Sequence, residues 1–214
     1  GESSTMSHEE DNAVCEYTVK RVAGRIPVIA GSGSNSTQTM LEKSLSYERL
    51  GADGLLLITP YYNKTNEEGM YLHFKTVADA VKIPAFFTTY PAARAAPYQC
   101  QCRTPLAAPQ HCGHQGSERQ YVLCGKGRKV LSDDFAMYSG NDDMIVPLLS
   151  IGASGVISVL ANIAPDQTHE LVSSYQSGDI AHARDVQLKY LELIHALFAE
   201  TSPAPLKEAM NLLA

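Results

Sequence analysis

An α/β architecture with a parallel sheet follows from three observations. Short apolar strands alternate with amphipathic helices, the first strands are apolar without a polar break, and their starts fall about 28 residues apart. Continuous apolar strands imply a sheet covered on both faces, and helices between the strands supply that cover. A (β/α)8 barrel is the leading arrangement and an open doubly wound sheet the second. No GxGxxG or GxxxxGK[ST] run occurs, so a nucleotide-binding version of either gains no support.

The elements run in order. "RIPVIAGSG" predicts a short buried strand, Ile26 to Ala30, ending in a glycine-rich loop. In "STQTMLEKSLSYERLG", Met40, Leu41, Leu45 and Leu50 fall near helical spacing and Gly51 supplies a stop. "ADGLLLITP" gives a second strand, Leu55 to Ile58. "NEEGMYLHFKTVADAVK" then sets Met70, Phe74, Val77, Ala78 and Val81 on one helical face. "IPAFF", Ile83 to Phe87, is a third strand. The alternation resumes with a strand in "DDFAMYSG", a short helix in "DDMIVPLLSIG" and a strand in "GVISV" (Gly155 to Val159). Helical segments follow in "PDQTHELVSSYQSG", "DIAHARDVQLKYLELIHALFAE" and "APLKEAMNLL".

Bulk properties narrow the class. The 214 residues suffice for one sizeable domain with a real core. An apolar share of 44% and a charged share of 19% are ordinary for a globular chain. No run approaches the roughly 18 apolar residues of a membrane span. A net charge of −6, with no dominant Lys/Arg cluster, argues against a nucleic-acid groove. "GESSTMSHEEDNAV" has neither the basic start nor the apolar core of a signal peptide. Five cysteines, an odd number without a secretory signal, make a disulfide framework improbable and point to the cytoplasm. The sequons at Asn35 and Asn63 read as polar loop residues.

In a barrel the chemistry sits on loops that follow the strands. Here those are "GSGSN" (31–35), "TPYYNK" (59–64), the segment after Phe87, "SGNDD" (139–143) and "SVLANIAP" (158–165). Tyr61 and Tyr62 are the most chemical of these residues, although packing aromatics at a rim would look the same.

Residues 88–129 depart from the pattern. They read "TTYPAARAAPYQCQCRTPLAAPQHCGHQGSERQYVLCGKGRK", periodic at neither 2 nor 3.6, with Glu118 as the single acidic residue. Cys100, Cys102, Cys112 and Cys124 crowd this window with two histidines. A zinc site is the obvious reading, but no CxxC pair occurs and the spacings match no finger pattern. The genetic code offers another. "QHCGHQGSERQY", with permissible codons shifted by one base, reads Asn-Ile-Val-Gly-Ile-Lys-Glu-Ala-Ser-Gly-Asn-Met. "TTYPAARA", shifted the other way, reads Tyr-Asn-Val-Pro-Gly-Arg-Thr-Gly. The window thus reads as frameshifted coding sequence, with the native frame returning near Val130, and no metal is expected.

With these stretches in view the chain resembles the dihydrodipicolinate synthase family of pyruvate-dependent class I aldolases. The resemblance covers roughly 1–87 and 130–214 and is carried by "GESSTMSHEE", "GRIPVIAGSGSN", "GADGLLLITPYYNK", "EEGMYLHF", "YSGNDDM" and "GVISVLANIAP". It implies one (β/α)8 barrel domain over 1–214, anomalous across 88–129. The barrel would be incomplete, because family chains begin with an earlier strand and continue past "APLKEAMNLLA" with further helix.

The implied reaction condenses pyruvate with aspartate 4-semialdehyde through a lysine Schiff base, at the entry to lysine biosynthesis, with no cofactor. Such a lysine needs a lowered pKa, which burial in an apolar barrel can arrange. The resemblance makes Tyr62 a proton-relay tyrosine reaching into a neighbouring subunit, which implies a homo-oligomer, a dimer of dimers. It places a pyruvate-contacting backbone at Ile157. Other parts fail: the second relay tyrosine falls at Thr88, the carboxylate-binding arginine at Ala93 and the Schiff-base lysine at Gln115. The substrate-binding threonines would precede Gly1. A pocket for inhibitory L-lysine maps to Ser3, Ser4, His8, Asn35 and Tyr61, while Asp11 and Thr39 depart from inhibited members. His8 and Asn35 read equally well as ordinary helix-start and loop residues.

Other pyruvate aldolases, such as N-acetylneuraminate lyase or a 2-keto-3-deoxy-sugar aldolase, would share the lysine chemistry. "TPYYNK" and "GVISVLANIAP" favour the synthase. A non-catalytic paralogue or interaction fragment remains an alternative of a different class. Peptide mass mapping across 85–135 separates a misread gene from a relic. A peptide containing Ile-Lys-Glu-Ala-Ser-Gly is expected from a working synthase; one containing His-Gln-Gly-Ser-Glu-Arg means that the chain has lost its lysine.

Overall fold

The computed structural model describes residues 2–63, 65–88, 108–110 and 136–213. The chain divides into two compact units, one built on Glu2–Gln110 and one from Met137 on.

The first unit opens with a short 3-10 turn at Ser3–Thr5 and helix α1, His8–Val22. The capping box that starts α1 is visible in "SHEE". The Ser7 hydroxyl accepts from the Glu10 N–H, and the Glu10 carboxylate accepts from the Ser7 N–H. Strand β1 (Ile29–Gly31), helix α2 (Thr37–Arg49), strand β2 (Gly54–Ile58), helix α3 (Glu67–Ala78) and strand β3 (Ala85–Thr88) follow. Ser36 caps α2 and Asn66 caps α3 through their side chains. The sheet order is β1–β2–β3, all parallel, with Ala30 opposite Leu55 and Leu57 opposite Phe87. A further short strand, β4, spans Ala108–Gln110.

Predicted and observed elements differ at β1. The strand is shorter and lies later than Ile26 to Ala30, and Ile26 and Ile29 are exposed. Pro27 can donate no ladder bond, and among the described residues β1 has one strand neighbour, β2. The buried face of α2 also differs from the leucine stripe. Met40, Lys43, Ser44 and Tyr47 are buried, while Leu41 and Leu45 are only partly covered. On α3 and just beyond it, Met70, Phe74, Val77, Ala78 and Val81 are all buried, as the spacing predicts. Phe74 meets Phe87 edge to face at 4.6 Å between ring centroids, joining helix to sheet.

The second unit pairs β5 (Met137–Ser139) with β6 (Gly155–Val156) in parallel. Between them a 3-10 turn, Asp142–Met144, runs into the short helix α4, Ile145–Leu149. Strand β6 stops well before the predicted Val159. There the Ser158 hydroxyl and the Asp142 carboxylate take the next backbone N–H groups and turn the chain into a 3-10 turn at Leu160–Asn162. Helices α5 (Pro165–Gln176), α6 (Ile180–Lys189), α7 (Leu191–Leu197) and α8 (Ala204–Leu213) complete the unit. The single long helix expected over 179–200 is broken at Tyr190, whose ψ is near 1°. Ile145, Leu149, Leu171 and Val186 form one apolar cluster; Leu160, Ala164, Ile194 and Leu197 form another. Among the described residues, no helix is long and apolar enough to cross a membrane.

His73 on α3 is buried, with Nδ1 2.7 Å from the Thr37 hydroxyl at the start of α2. Burial lowers its pKa from the ordinary 6.5, against a smaller upward pull from the Ser34 backbone. The folded state thus disfavours the proton, so the stability His73 contributes is complete above pH 6.5 and is lost as pH falls through the lowered value. Melts of the parent and of His73→Gln, from about pH 8 to about pH 5, should show a larger acid-side fall in Tm for the parent. Identical slopes would remove His73 as the cause.

Candidate active site

Three parallel strands in the first unit end in hydroxyl residues. Ser32 follows β1, Thr59 follows β2 and Thr88 closes β3, and all three are buried. The turn after β1 lies against β2, where the Leu56 carbonyl accepts from both the Ser32 and Gly33 N–H groups. A Cβ on Gly33 would fall 2.4 Å from the Ile58 nitrogen, so only glycine fits this approach. The Ser32 hydroxyl lies 2.8 Å from that of Ser44, which donates to the Met40 carbonyl. The Thr88 carbonyl accepts from the Thr59 N–H at 3.0 Å, whereas the Thr88 hydroxyl, at 4% exposure, has no hydrogen-bond partner among the described residues.

After Thr59 the chain turns outward. Tyr62 is 94% exposed and holds φ at 63°, a left-handed value unusual for a non-glycine residue. Tyr61 is 43% exposed. The Asn35 amide donates to the Tyr61 carbonyl at 3.4 Å, and the Asn63 amide donates to the Asn35 carbonyl at 3.0 Å. The structure thus brings together Asn35 and Tyr61, two residues of the expected effector pocket.

Ser3, the third, belongs to a buried polar cluster that sequence reasoning missed. Lys43 Nζ lies 2.6 Å from Asp11 Oδ2 and 2.8 Å from the Ser3 hydroxyl, which itself donates to Asp11 at 3.1 Å. Lysine and aspartate side chains are only 9% and 7% exposed. Lys43 also sits 5.9 Å from the centroid of the Tyr47 ring. Burial, with the nearby Asp11 and Cys15, pushes the Tyr47 phenol well above its ordinary pKa. The available signal was Lys43 itself, placed between Met40 and Tyr47 on one helical face. Ser4 and His8 are exposed, and no side-chain hydrogen bond or ion pair among the described residues joins them to this cluster. Thr39 bonds back to its cap, Ser36.

In the second unit Ile157 is half-buried, and its N–H donates to the Ser139 carbonyl at 2.8 Å. Ala93 and Gln115 lie outside the described residues, as do the four clustered cysteines. Among the described residues, no group of three or more His, Cys, Asp or Glu could hold a metal ion.

Parallel α/β units with polar residues gathered where strands end define a class in which loops carry the chemistry. The chain belongs to the dihydrodipicolinate synthetase family, whose model matches residues 1–214. It is 46% identical to 4-hydroxy-tetrahydrodipicolinate synthase, a lyase, of Acetivibrio thermocellus, over all of this chain and 73% of that protein. Among solved structures, the dihydrodipicolinate synthase of Acinetobacter baumannii complexed with pyruvate is 33% identical, with a TM-score of 0.89 over 99% of this chain and 73% of that one. The enzyme of Cyanidioschyzon merolae with lysine bound is 31% identical, with a TM-score of 0.89 over 100% of this chain and 73% of that one.

The buried pair gives a stability prediction. Lys43→Met leaves the Asp11 carboxylate buried and uncompensated, at a cost of about 3–5 kcal/mol. Adding Asp11→Leu should recover most of that loss in urea unfolding. If the single and double variants are equally destabilised, the pair is not what holds α1 to α2.

Proposed function

We propose that the chain carries the scaffold of a 4-hydroxy-tetrahydrodipicolinate synthase, with one (β/α)8 barrel domain over 1–214. The reaction of that enzyme joins pyruvate to aspartate 4-semialdehyde in the cytoplasm. The observation that carries this reading is that curated relatives 42–46% identical over the whole chain bear that enzyme's name.

In this reading a lysine amine condenses with the pyruvate carbonyl and water leaves. The resulting imine withdraws electrons, the methyl group gives up a proton, and the enamine carbon attacks the aldehyde. Position 115 is where that lysine is expected, and the sequence has glutamine there. A carboxamide nitrogen is not nucleophilic enough to form the imine, so the chain as written does not turn over. Ala93 likewise offers no guanidinium to a carboxylate, and Thr88 offers an aliphatic hydroxyl where a phenol would relay protons. Tyr62 and Ile157 retain their assigned roles. Tyr62, exposed on a strained turn, suits insertion into a neighbouring subunit of a homo-oligomer. Ile157 offers its backbone to pyruvate.

Inhibition by L-lysine is not expected of this chain. Asp11 is already satisfied by Lys43 and Ser3, so its carboxylate is not free to receive the ammonium of an added amino acid. Thr39 supplies no charge.

Borohydride trapping with pyruvate, read by intact mass, tests the reading. A chain with Gln115 should gain no reduced pyruvyl group, whereas protein carrying Ile-Lys-Glu-Ala-Ser-Gly should gain one per subunit. An adduct on the Gln115 chain would overturn the assignment of the lysine to that position. Millimolar L-lysine should leave Tm unchanged, and a clear upward shift would restore the effector pocket.

A further inference from the structure

Asp142 is the most deeply buried carboxylate among the described residues, at 1% exposure, and its bonding is lopsided. Oδ2 accepts two successive backbone N–H groups, those of Val159 at 2.9 Å and Leu160 at 3.0 Å. Oδ1 has no hydrogen-bond partner among the described residues. Burying a carboxylate with one bare oxygen is costly. A serine or asparagine would cap a three-residue turn at lower cost, so the cost is out of proportion to capping.

The aspartate is itself held in place. The Gln187 side chain, 5% exposed on α6, donates to the Asp142 carbonyl at 2.7 Å and accepts from the Val146 N–H at 3.3 Å. On the near side, Ser139 is tied to Asn141 by its hydroxyl at 2.7 Å. The Ser139 carbonyl takes the Ile157 N–H at 2.8 Å. Residues 157–160 are therefore held at Ile157 by the carbonyl of Ser139, the last residue of β5, and at Val159 and Leu160 by the carboxylate of Asp142 in the turn that follows. The Ile157 bond is the last of the parallel β-ladder, and beyond it the Asp142 bonds fix the path of the chain.

We propose that Asp142 is a positioning residue for substrate. It fixes the backbone around Ile157 which, in the function proposed above and resting on that reading, meets pyruvate. Its bonds to the Val159 and Leu160 amides, at 2.9 and 3.0 Å, tie two successive residues of that backbone to one side chain. Small displacements of a substrate-contacting backbone cost binding and rate steeply.

The test is pyruvate titration by ligand-observed NMR on the parent chain, Asp142→Asn and Asp142→Ala. Hydrogen exchange of peptides covering 155–164 is measured in parallel. Asparagine keeps an acceptor for the two amides but offers no carboxylate, so its pyruvate affinity should fall, though less than alanine's. Alanine should weaken it about 10-fold or more and speed exchange at Val159 and Leu160. If the alanine variant does not fold, Asp142→Ser, with its shorter reach, should give an intermediate loss. A folded alanine or serine variant with a lower Tm but the parent's pyruvate affinity would make Asp142 merely structural and overturn the proposal. No pyruvate binding by the parent would also overturn the proposal, because the backbone around Ile157 would then meet no substrate. The scaffold reading, tested by borohydride trapping, would stand, since a chain with Ala93 and Gln115 lacks two groups expected to hold pyruvate.

Discussion

The first unit depends on β2 having a parallel neighbour on each side. Its ladder commits it to β1 and β3 at once, and both of its faces must be covered. Leu55 and Leu57 are fully buried, and Met40 of α2 with Val77 and Phe74 of α3 belong to the same core. The Leu56 carbonyl also receives the turn after β1, which draws Gly33 against Ile58 so closely that no side chain fits. Parallel pairing brings the strands to a common end, so Ser32, Thr59 and Thr88 fall where chemistry can be placed.

Two buried carboxylates show different ways of meeting the cost of burial. Asp11 faces an ammonium and a hydroxyl, and the resulting pair ties α1 and the Ser3 turn to α2. Asp142 faces backbone amides and leaves one oxygen bare. The first arrangement neutralises charge and serves packing. The second leaves an oxygen without a partner and directs a loop, which is the pattern expected where function tolerates a local penalty.

Much of the fold was legible because periodicity is a direct image of burial. The face Met70, Phe74, Val77 and Val81 could be read from spacing, since a helix against a sheet buries every third or fourth residue. The same rule misled at α2, where the leucines are half-covered and a lysine is buried. Hydrophobicity cannot signal a cation whose partner lies 32 residues away. It misled again at β1, because Ile26 and Ile29 look like core until the strand is seen at the edge of the sheet among the described residues. The capping box of α1 and the glycine-rich turn carry local chemistry, and local chemistry is legible in short stretches.

The sequence by itself determined the family, through motifs spread along its length, and the residue types at the positions proposed for the site: glutamine at 115, alanine at 93, threonine at 88. Those are covalent facts that no packing alters. Only the tertiary structure decided which polar groups satisfy one another. It paired Lys43 with Asp11, set Tyr62 outward on a left-handed turn, and aimed one oxygen of Asp142 at two amides while leaving the other bare. Such pairings join residues far apart in the chain, and they arise only when burial has removed the competing water.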